Sequence, residues 1–178
     1  EASDHRLRGV GFATMTETSA MHGNGVFEVA HVRFHPSGSA VVGVGTHSHG
    51  QGHETSFAQI AAEQLGLPVD KVTIVFGDTS KVPYGQGTYA SRSTALAGPA
   101  ILGAADKVIE KGRRIAAHML EASKEDIEFR EGQFTVAGTD RTLSWKQVAA
   151  AAYVPVNFAD ADMEPGLEEQ AFYVPTGG

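Results

Sequence analysis

The chain has 178 residues, of which 42% are hydrophobic and 20% are charged, a composition typical of a globular domain. A net charge of −7 gives no electrostatic basis for binding nucleic acid, and no apolar run in the sequence is long enough to cross a bilayer. The absence of cysteine excludes disulfides, thiolate metal sites and a cysteine nucleophile within the chain. This composition is compatible with the cytoplasm.

The first part of the chain predicts strands. Residues 9–18 predict a strand with small residues on one face. Apolar and polar residues alternate over 26–34, a turn signal follows at 36–38, and a second apolar run covers 39–45. The last three features together predict a β-hairpin.

Two helices are expected in the middle of the chain. Apolar residues at helical spacing predict a helix over 53–65, which Gly66 is suited to end. A strand over 70–76 and an irregular loop over 79–93 follow it. A long helix is predicted over 94–122, with Pro99 indicating either a kink or a later start.

The last third predicts a short hairpin over 127–129 and 133–136, and then a helix over 144–153 with Ser144 as its N-cap. Residues 154–178 are expected to form an irregular tail containing a final strand over 170–174. We therefore expect an α+β fold of mixed strands and two main helices, as a single segment over residues 1–178 with its core at about 8–153. Both ends resemble cut ends, so we expect a fragment of a longer protein.

The first candidate site is the turn Gly50-Gln51-Gly52, which connects a strand to a helix. Such a turn leaves the first N–H groups of the helix unpaired at the positive end of its dipole, where an anion can bind. Gln51 offers both a donor and an acceptor. The same pattern also fits a tight turn that needs glycine for its backbone alone.

Three histidines lie in or beside this turn, His47, His49 and His53, and Glu54 follows them. They could form a zinc or nickel site, or they could be polar residues of a solvated loop. Their spacing fits no standard zinc pattern, so we predict no metal site.

The second candidate site is the segment 84–94, which places hydroxyl groups, glycines and Arg92 before the second helix. The Ser and Thr residues are suited to cap that helix, whereas Arg92 is suited to clamp a phosphate. Two such helix starts in one small domain favour a shared ligand with a phosphate or diphosphate. Asp78, at a strand end, is interpreted as a turn former and not as a general base.

The segments 45–60, 75–79 and 82–94, taken in order, resemble the xanthine dehydrogenase and aldehyde oxidase family of molybdenum hydroxylases. Within that family the likeness is greatest to the molybdopterin-binding large subunits of the aerobic carbon monoxide dehydrogenase type. It runs from about residue 8 to residue 120 and again near 166–168, and it is strongest between 43 and 122.

The resemblance implies a molybdenum–pterin cofactor, molybdopterin cytosine dinucleotide, gripped by both loops of the intact enzyme. It also implies an oxidoreductase in which the rest of the large subunit, an iron–sulfur subunit and an FAD subunit are partners. The residues that match the two cofactor loops are Gly50, Gln51, Gly52 and His53 in the first and Thr88, Tyr89, Ala90, Ser91, Arg92 and Ser93 in the second.

The chain also departs from the family. It lacks the cysteine-bearing loop, the Gly-Val-Gly-Glu motif with the catalytic glutamate, and the second glycine-rich Phe-Gly loop. We therefore predict no catalytic residue in this chain, and an isolated fragment that is inactive and without cofactor. The substrate is left open between carbon monoxide, a heteroaromatic ring and an aldehyde. The alternatives are a non-catalytic nucleotide- or phosphate-binding module and a stand-alone fold without a ligand.

Overall fold

A computed structural model describes residues 8–16, 26–82, 84–154 and 163–175. In these ranges the helices are α1 (His53–Leu65), α2 (Ser93–Met119) and α3 (Trp145–Ala152). The strands are β1 (Glu28–Phe34), β2 (Ala40–Val44), β3 (Val72–Val75), β4 (Ile127–Arg130), β5 (Gln133–Val136), β6 (Thr142–Ser144) and β7 (Glu168–Tyr173). The predicted α+β class is confirmed. Among the described helices, none combines the length and the apolar character that a membrane span requires.

The larger sheet has the strand order β3-β2-β1-β7. The predicted hairpin is confirmed, because β1 and β2 pair antiparallel with His31 opposite Gly43. On its other side β1 pairs antiparallel with β7, and β2 pairs in parallel with β3. Parallel neighbours need a crossover connection, and α1 lies in the connection between β2 and β3.

The main core lies between this sheet and the two longer helices. Ala30, Val32 and Phe34 are fully buried on one face of β1, while Arg33 on the opposite face is exposed. Helix α2 packs across β1 and β7, and α1 packs against β3 and α2. The alternation of residues in β1 therefore sets which face receives the helices.

The smaller sheet has the order β4-β5-β6 and leads directly into α3. Trp145 joins it to the main core: its ring stacks on Phe34 with centroids 4.1 Å apart, and its Nε1 donates to the Leu65 carbonyl at 2.7 Å. Ser144 starts α3 as predicted, and its N–H donates to Gln147 Oε1 at 2.9 Å. The three-residue strand β6 was not predicted, because so short a segment shows no period.

The two longer helices follow their predictions closely. Helix α1 has the predicted bounds, and Gly66 ends it in the left-handed region at φ 60°. Helix α2 begins at Ser93 and contains Pro99, so the alternative of a start near Pro99 is wrong. It ends at Met119, slightly before the predicted end at residue 122.

Two expectations differ from the structure at the ends of the fold. The predicted strand over 9–18 is wrong for residues 9–16, which carry no regular structure, and Phe12 is 97% exposed there. A strand needs a partner, and among the described residues nothing lies within 4 Å of a Cβ placed on Gly9 or Gly11. Residues 17–18, like 155–162, lie outside the described residues. The core also extends beyond residue 153, since Leu167 is fully buried and β7 lies in the larger sheet.

Candidate ligand-binding cleft

The two candidate loops meet at one open cleft of about 480 Å³, at the N-terminal ends of α1 and α2. Parallel pairing of β2 with β3 and the packing of α1 on α2 bring these ends together. Most of the predicted site residues face this space. The lining residues are His49, Gln51, His53, Thr88, Tyr89, Ala90, Ser91, Ser93 and Thr94.

The first loop ends at Gly52, which caps α1 in the left-handed region at φ 76°. The Gly52 carbonyl accepts the N–H groups of Thr55 and Ser56, both at 3.1 Å. The N–H groups before these are outside the hydrogen-bond ladder of a helix and can serve a ligand. In the described part of the chain nothing lies within 4 Å of a Cβ placed on Gly50 or Gly52, so the backbone is open to close approach.

His53, the first residue of α1, is only 6% exposed and stacks on Phe57 with ring centroids 4.8 Å apart. Its Nδ1 is buried and has no hydrogen-bond partner among the described residues. An unpaired buried nitrogen costs free energy, so a ligand acceptor in the cleft would stabilise this ring.

The histidines do not assemble into a metal site. His47 and His49 meet edge to face with centroids 5.1 Å apart, while His53 lies against its own helix. Across the described residues, no group of three His, Cys, Asp or Glu side chains is placed to hold a metal ion. The geometry therefore gives the zinc or nickel interpretation no support.

The second loop has two consecutive non-glycine residues in the left-handed region, Ala90 at φ 47° and Ser91 at φ 52°. Such conformations are strained and persist only where the surroundings impose them. Thr88 ties this loop to the first: its Oγ1 accepts the His47 N–H at 3.1 Å and its hydroxyl donates to the His47 carbonyl. The same oxygen lies 2.9 Å from Ser93 Oγ.

Arg92 does not reach the cleft. Its side chain is fully buried and pairs with the equally buried Glu28, with Nη1 3.1 Å from Oε2. The prediction that this guanidinium clamps a phosphate is wrong for this structure, because its donors are directed into the fold. Burial raises the pKa of the Glu28 carboxyl, and hydrogen bonding to the Val29 N–H and the charge of Arg92 oppose that rise.

Asp78 is a turn former, as interpreted from the sequence. Its Oδ1 accepts the Ser80 N–H at 3.0 Å and the Ser80 hydroxyl at 2.6 Å, and Lys81 Nζ lies 3.1 Å from Oδ2. A carboxylate engaged in this way is not available as a base.

The cleft fits an anionic ligand with several hydrogen-bonding groups. Two helix N-termini border it, left-handed glycines leave the first loop's backbone open, and hydroxyl groups of the second loop face it. The unpartnered His53 Nδ1 adds a ring nitrogen that still needs a partner.

The model of the molybdopterin cofactor-binding domain matches residues 1–177 of this chain. The chain belongs to this family. It is 42% identical over 177 residues to the carbon monoxide dehydrogenase large chain of Hydrogenophaga pseudoflava, which covers 95% of this chain and 22% of the relative. It is also 42% identical over 172 residues to the 6-hydroxypseudooxynicotine dehydrogenase complex subunit gamma of Paenarthrobacter nicotinovorans, covering 97% of this chain and 21% of that subunit.

Solved structures agree with this assignment. The Cu,Mo-CO dehydrogenase in its carbon monoxide reduced state superposes with a TM-score of 0.78 at 45% identity, over 85% of this chain and 19% of that chain. Quinoline 2-oxidoreductase from Pseudomonas putida 86 gives a TM-score of 0.74 at 39% identity, also over 85% of this chain and 19% of that chain. This chain therefore spans about a fifth of the length of each of these relatives.

Sequence reasoning missed Glu28. A signal for it was present, because Glu28 shares the apolar face of β1 with Ala30, Val32 and Phe34. A carboxylate on a buried face needs a partner, but its partner Arg92 is 64 residues away and only the fold brings the two together.

Proposed function

We propose that this chain is a segment of the large subunit of a molybdenum hydroxylase and that it holds a molybdopterin cofactor between its two loops. The observation that carries the proposal is the convergence of both loops on one cleft, at the N-terminal ends of α1 and α2. The family match supports molybdopterin as the ligand. The cytosine dinucleotide form, which the sequence resemblance implies, is part of the proposal.

Each loop has a separate role in binding. Gly50 and Gly52 keep the backbone open, so that N–H groups at the start of α1 donate to the phosphate oxygens. Gln51 and His53 line the same space, and we propose that their side chains contact the ligand there. The second loop adds the hydroxyl groups of Ser91 and Ser93 and the backbone of Tyr89 and Ala90, which bind the polar edge of the pterin or its phosphates. Thr88 lines the same wall, and its hydroxyl, already bonded to His47 and Ser93, holds the two loops together.

The role of this segment is to bind and orient. Arg92 acts from inside the fold as a support of the second loop. When bound, the molybdenum centre supplies the redox chemistry, oxidation of a small substrate with oxygen derived from water. We assign no proton-transfer residue to this chain, because Glu28 is fully buried and Asp78 is held in its turn.

The proposal extends to the intact protein, an oxidoreductase of the cytoplasm that works with iron–sulfur and FAD subunits. The relatives are named for carbon monoxide, 6-hydroxypseudooxynicotine and quinoline. Since these substrates differ and the cofactor-loop segment is shared, we place substrate selection in the remainder of the subunit. No observation favours the alternative of a non-catalytic nucleotide-binding module.

The test uses Gln51→Ala and Ser91→Ala in the intact large subunit, with bound pterin and molybdenum measured per subunit. We expect each change to lower the pterin and the molybdenum bound per subunit. The combined variant should lose about tenfold, because the loss of one supporting contact typically weakens such sites by that order. Gln133→Ala and Ser37→Ala, both at exposed positions away from the cleft, are the matched controls. Unchanged pterin and molybdenum in the combined variant would refute the loop assignment.

A further inference from the structure

The buried ion pair of Glu28 and Arg92 joins the start of β1 to the start of α2. Both side chains are fully buried, and the pair lies directly behind the cleft-lining loop rather than in it. Removing two charges from water is costly, and an apolar pair of similar volume would often serve stability as well. Folding stability alone is therefore a weak explanation for this pair.

Arg92 holds the second loop through its other hydrogen bonds. Nη1 donates to the Gly87 carbonyl at 2.6 Å, and Nη2 donates to the Phe27 carbonyl at 2.7 Å. The guanidinium carbon also lies 5.4 Å from the centre of the Tyr89 ring, which lines the cleft. One side chain thus fixes both the Gly87 backbone and the Tyr89 ring relative to β1, on either side of Thr88.

Glu28 reaches the base of the first loop as well. Its Oε1 accepts the Val29 N–H at 3.0 Å and occupies the space in which a Cβ on Gly45 would stand, only 2.2 Å away. The Gly45 backbone in turn touches Gly85, since a Cβ on Gly85 would lie 2.1 Å from the Gly45 oxygen. The carboxylate is therefore packed where the two loops leave the sheet.

From these contacts we infer that Glu28 and Arg92 are a positioning pair: together they hold both loops, including the left-handed Ala90–Ser91 step, in the shape that receives the cofactor. The inference rests on the proposed function, because it assigns a role toward the same cleft. It adds two residues that act through the loops without touching the ligand.

The test compares Glu28→Gln, Arg92→Gln and the double variant in the intact large subunit. The measurements are bound pterin per subunit, the thermal midpoint, and amide hydrogen exchange of residues 84–92 against β4–β6. Each single change leaves a buried group without its partner and is expected to lower both midpoint and pterin content. The double variant leaves no buried unpaired charge, so its midpoint should recover in part.

The double variant should still bind less pterin than the wild type, by about tenfold or more, because a glutamine at position 92 cannot reach both the Gly87 and the Phe27 carbonyls. Exchange should be faster in residues 84–92 and unchanged in β4–β6. If pterin content recovers together with the midpoint, or if the single variants keep their pterin, the pair has no positioning role. If the single variants do not fold, the double variant decides the outcome.

Two further variants separate this inference from the proposed function. Glu110→Gln with Lys124→Gln removes an exposed ion pair of 2.8 Å between α2 and the segment that follows it, and should change neither pterin nor exchange at 84–92. The combined Gln51→Ala and Ser91→Ala variant reports on the proposed function alone. If this combined variant loses pterin while the Glu28–Arg92 double variant keeps it, only the positioning role fails. If the combined variant keeps its pterin, the proposed function itself fails.

Discussion

The two loops that line the cleft are built in opposite ways. The first, from His47 to Gly52, is mostly exposed and relies on glycines in the left-handed region, and Gln51 Oε1 accepts the N–H of the nearby His49. The second, from Tyr84 to Arg92, is fastened from behind by a fully buried ion pair. The first loop therefore presents exposed backbone to the cleft, and the second presents side chains whose backbone is held by buried contacts.

This difference has a consequence for what each loop tolerates. The shape of the first loop depends on the torsion angles of single residues, so a substitution there changes only the local backbone. The shape of the second loop depends on contacts between distant segments, so a substitution at the contact of Gly45 and Gly85 displaces both loops at once. Mutations at glycines in the two loops therefore test the comparison directly.

The largest effect is expected for Gly85→Ala. A Cβ there would lie 2.1 Å from the Gly45 oxygen and 2.7 Å from its carbonyl carbon, both backbone atoms that cannot rotate away. We expect the free energy of unfolding to fall by about 2 kcal/mol or more, within the range for overpacked sites. Denaturant unfolding measures this loss; a change below about 0.5 kcal/mol, the scale of ordinary surface substitutions, would contradict the close anchoring of the loops.

Gly52→Ala should cost less, because no described residue lies within 4 Å of its Cβ and the φ of 76° is the unfavourable feature. A left-handed alanine costs about 1 kcal/mol, which the same unfolding experiment resolves. Gly98→Ala in α2 is the matched control. Outside its own helix, the described residue that its Cβ meets is Ile60, whose Cδ1 lies at an ordinary 3.8 Å, so we expect a gain of up to about 1 kcal/mol. A cost for Gly52→Ala as large as that for Gly85→Ala would remove the distinction between the loops.

Much of this fold follows from patterns within short windows. The alternation in β1 and β2, the turn between them and the apolar spacing of α1 are local signals, and each predicted the element that the structure has. The two helix starts were equally visible, because glycine and hydroxyl residues stand directly before them. In these elements the local sequence preference and the tertiary packing favour the same structure.

The failures share one cause, dependence on distant partners. Residues 9–16 alternate well enough to predict a strand, yet a strand forms only where another edge is available. A guanidinium such as that of Arg92 can bind a phosphate, but in the structure it pairs with Glu28 inside the fold. Neither outcome is encoded in the neighbouring residues, so the sequence predicted most of the residues that line the cleft and not how the two loops are held.

The smallest effect should come from the turn that leads into the second loop. Hydrogen bonds from Ser80 and then from Lys81 lower the pKa of Asp78 from 3.8 to about 2. A carboxyl with a lowered pKa in the folded protein contributes stability above its unfolded pKa, and this contribution is lost as the pH falls from about 4 through about 2. The thermal midpoint of the wild type should therefore fall slightly more steeply over this range than that of Asp78→Asn. Parallel curves for the two proteins would mean that the Asp78 carboxylate adds no stability at this turn, so that the second loop is held by Glu28, Arg92, the contact of Gly45 with Gly85 and the hydrogen bonds of Thr88 to His47.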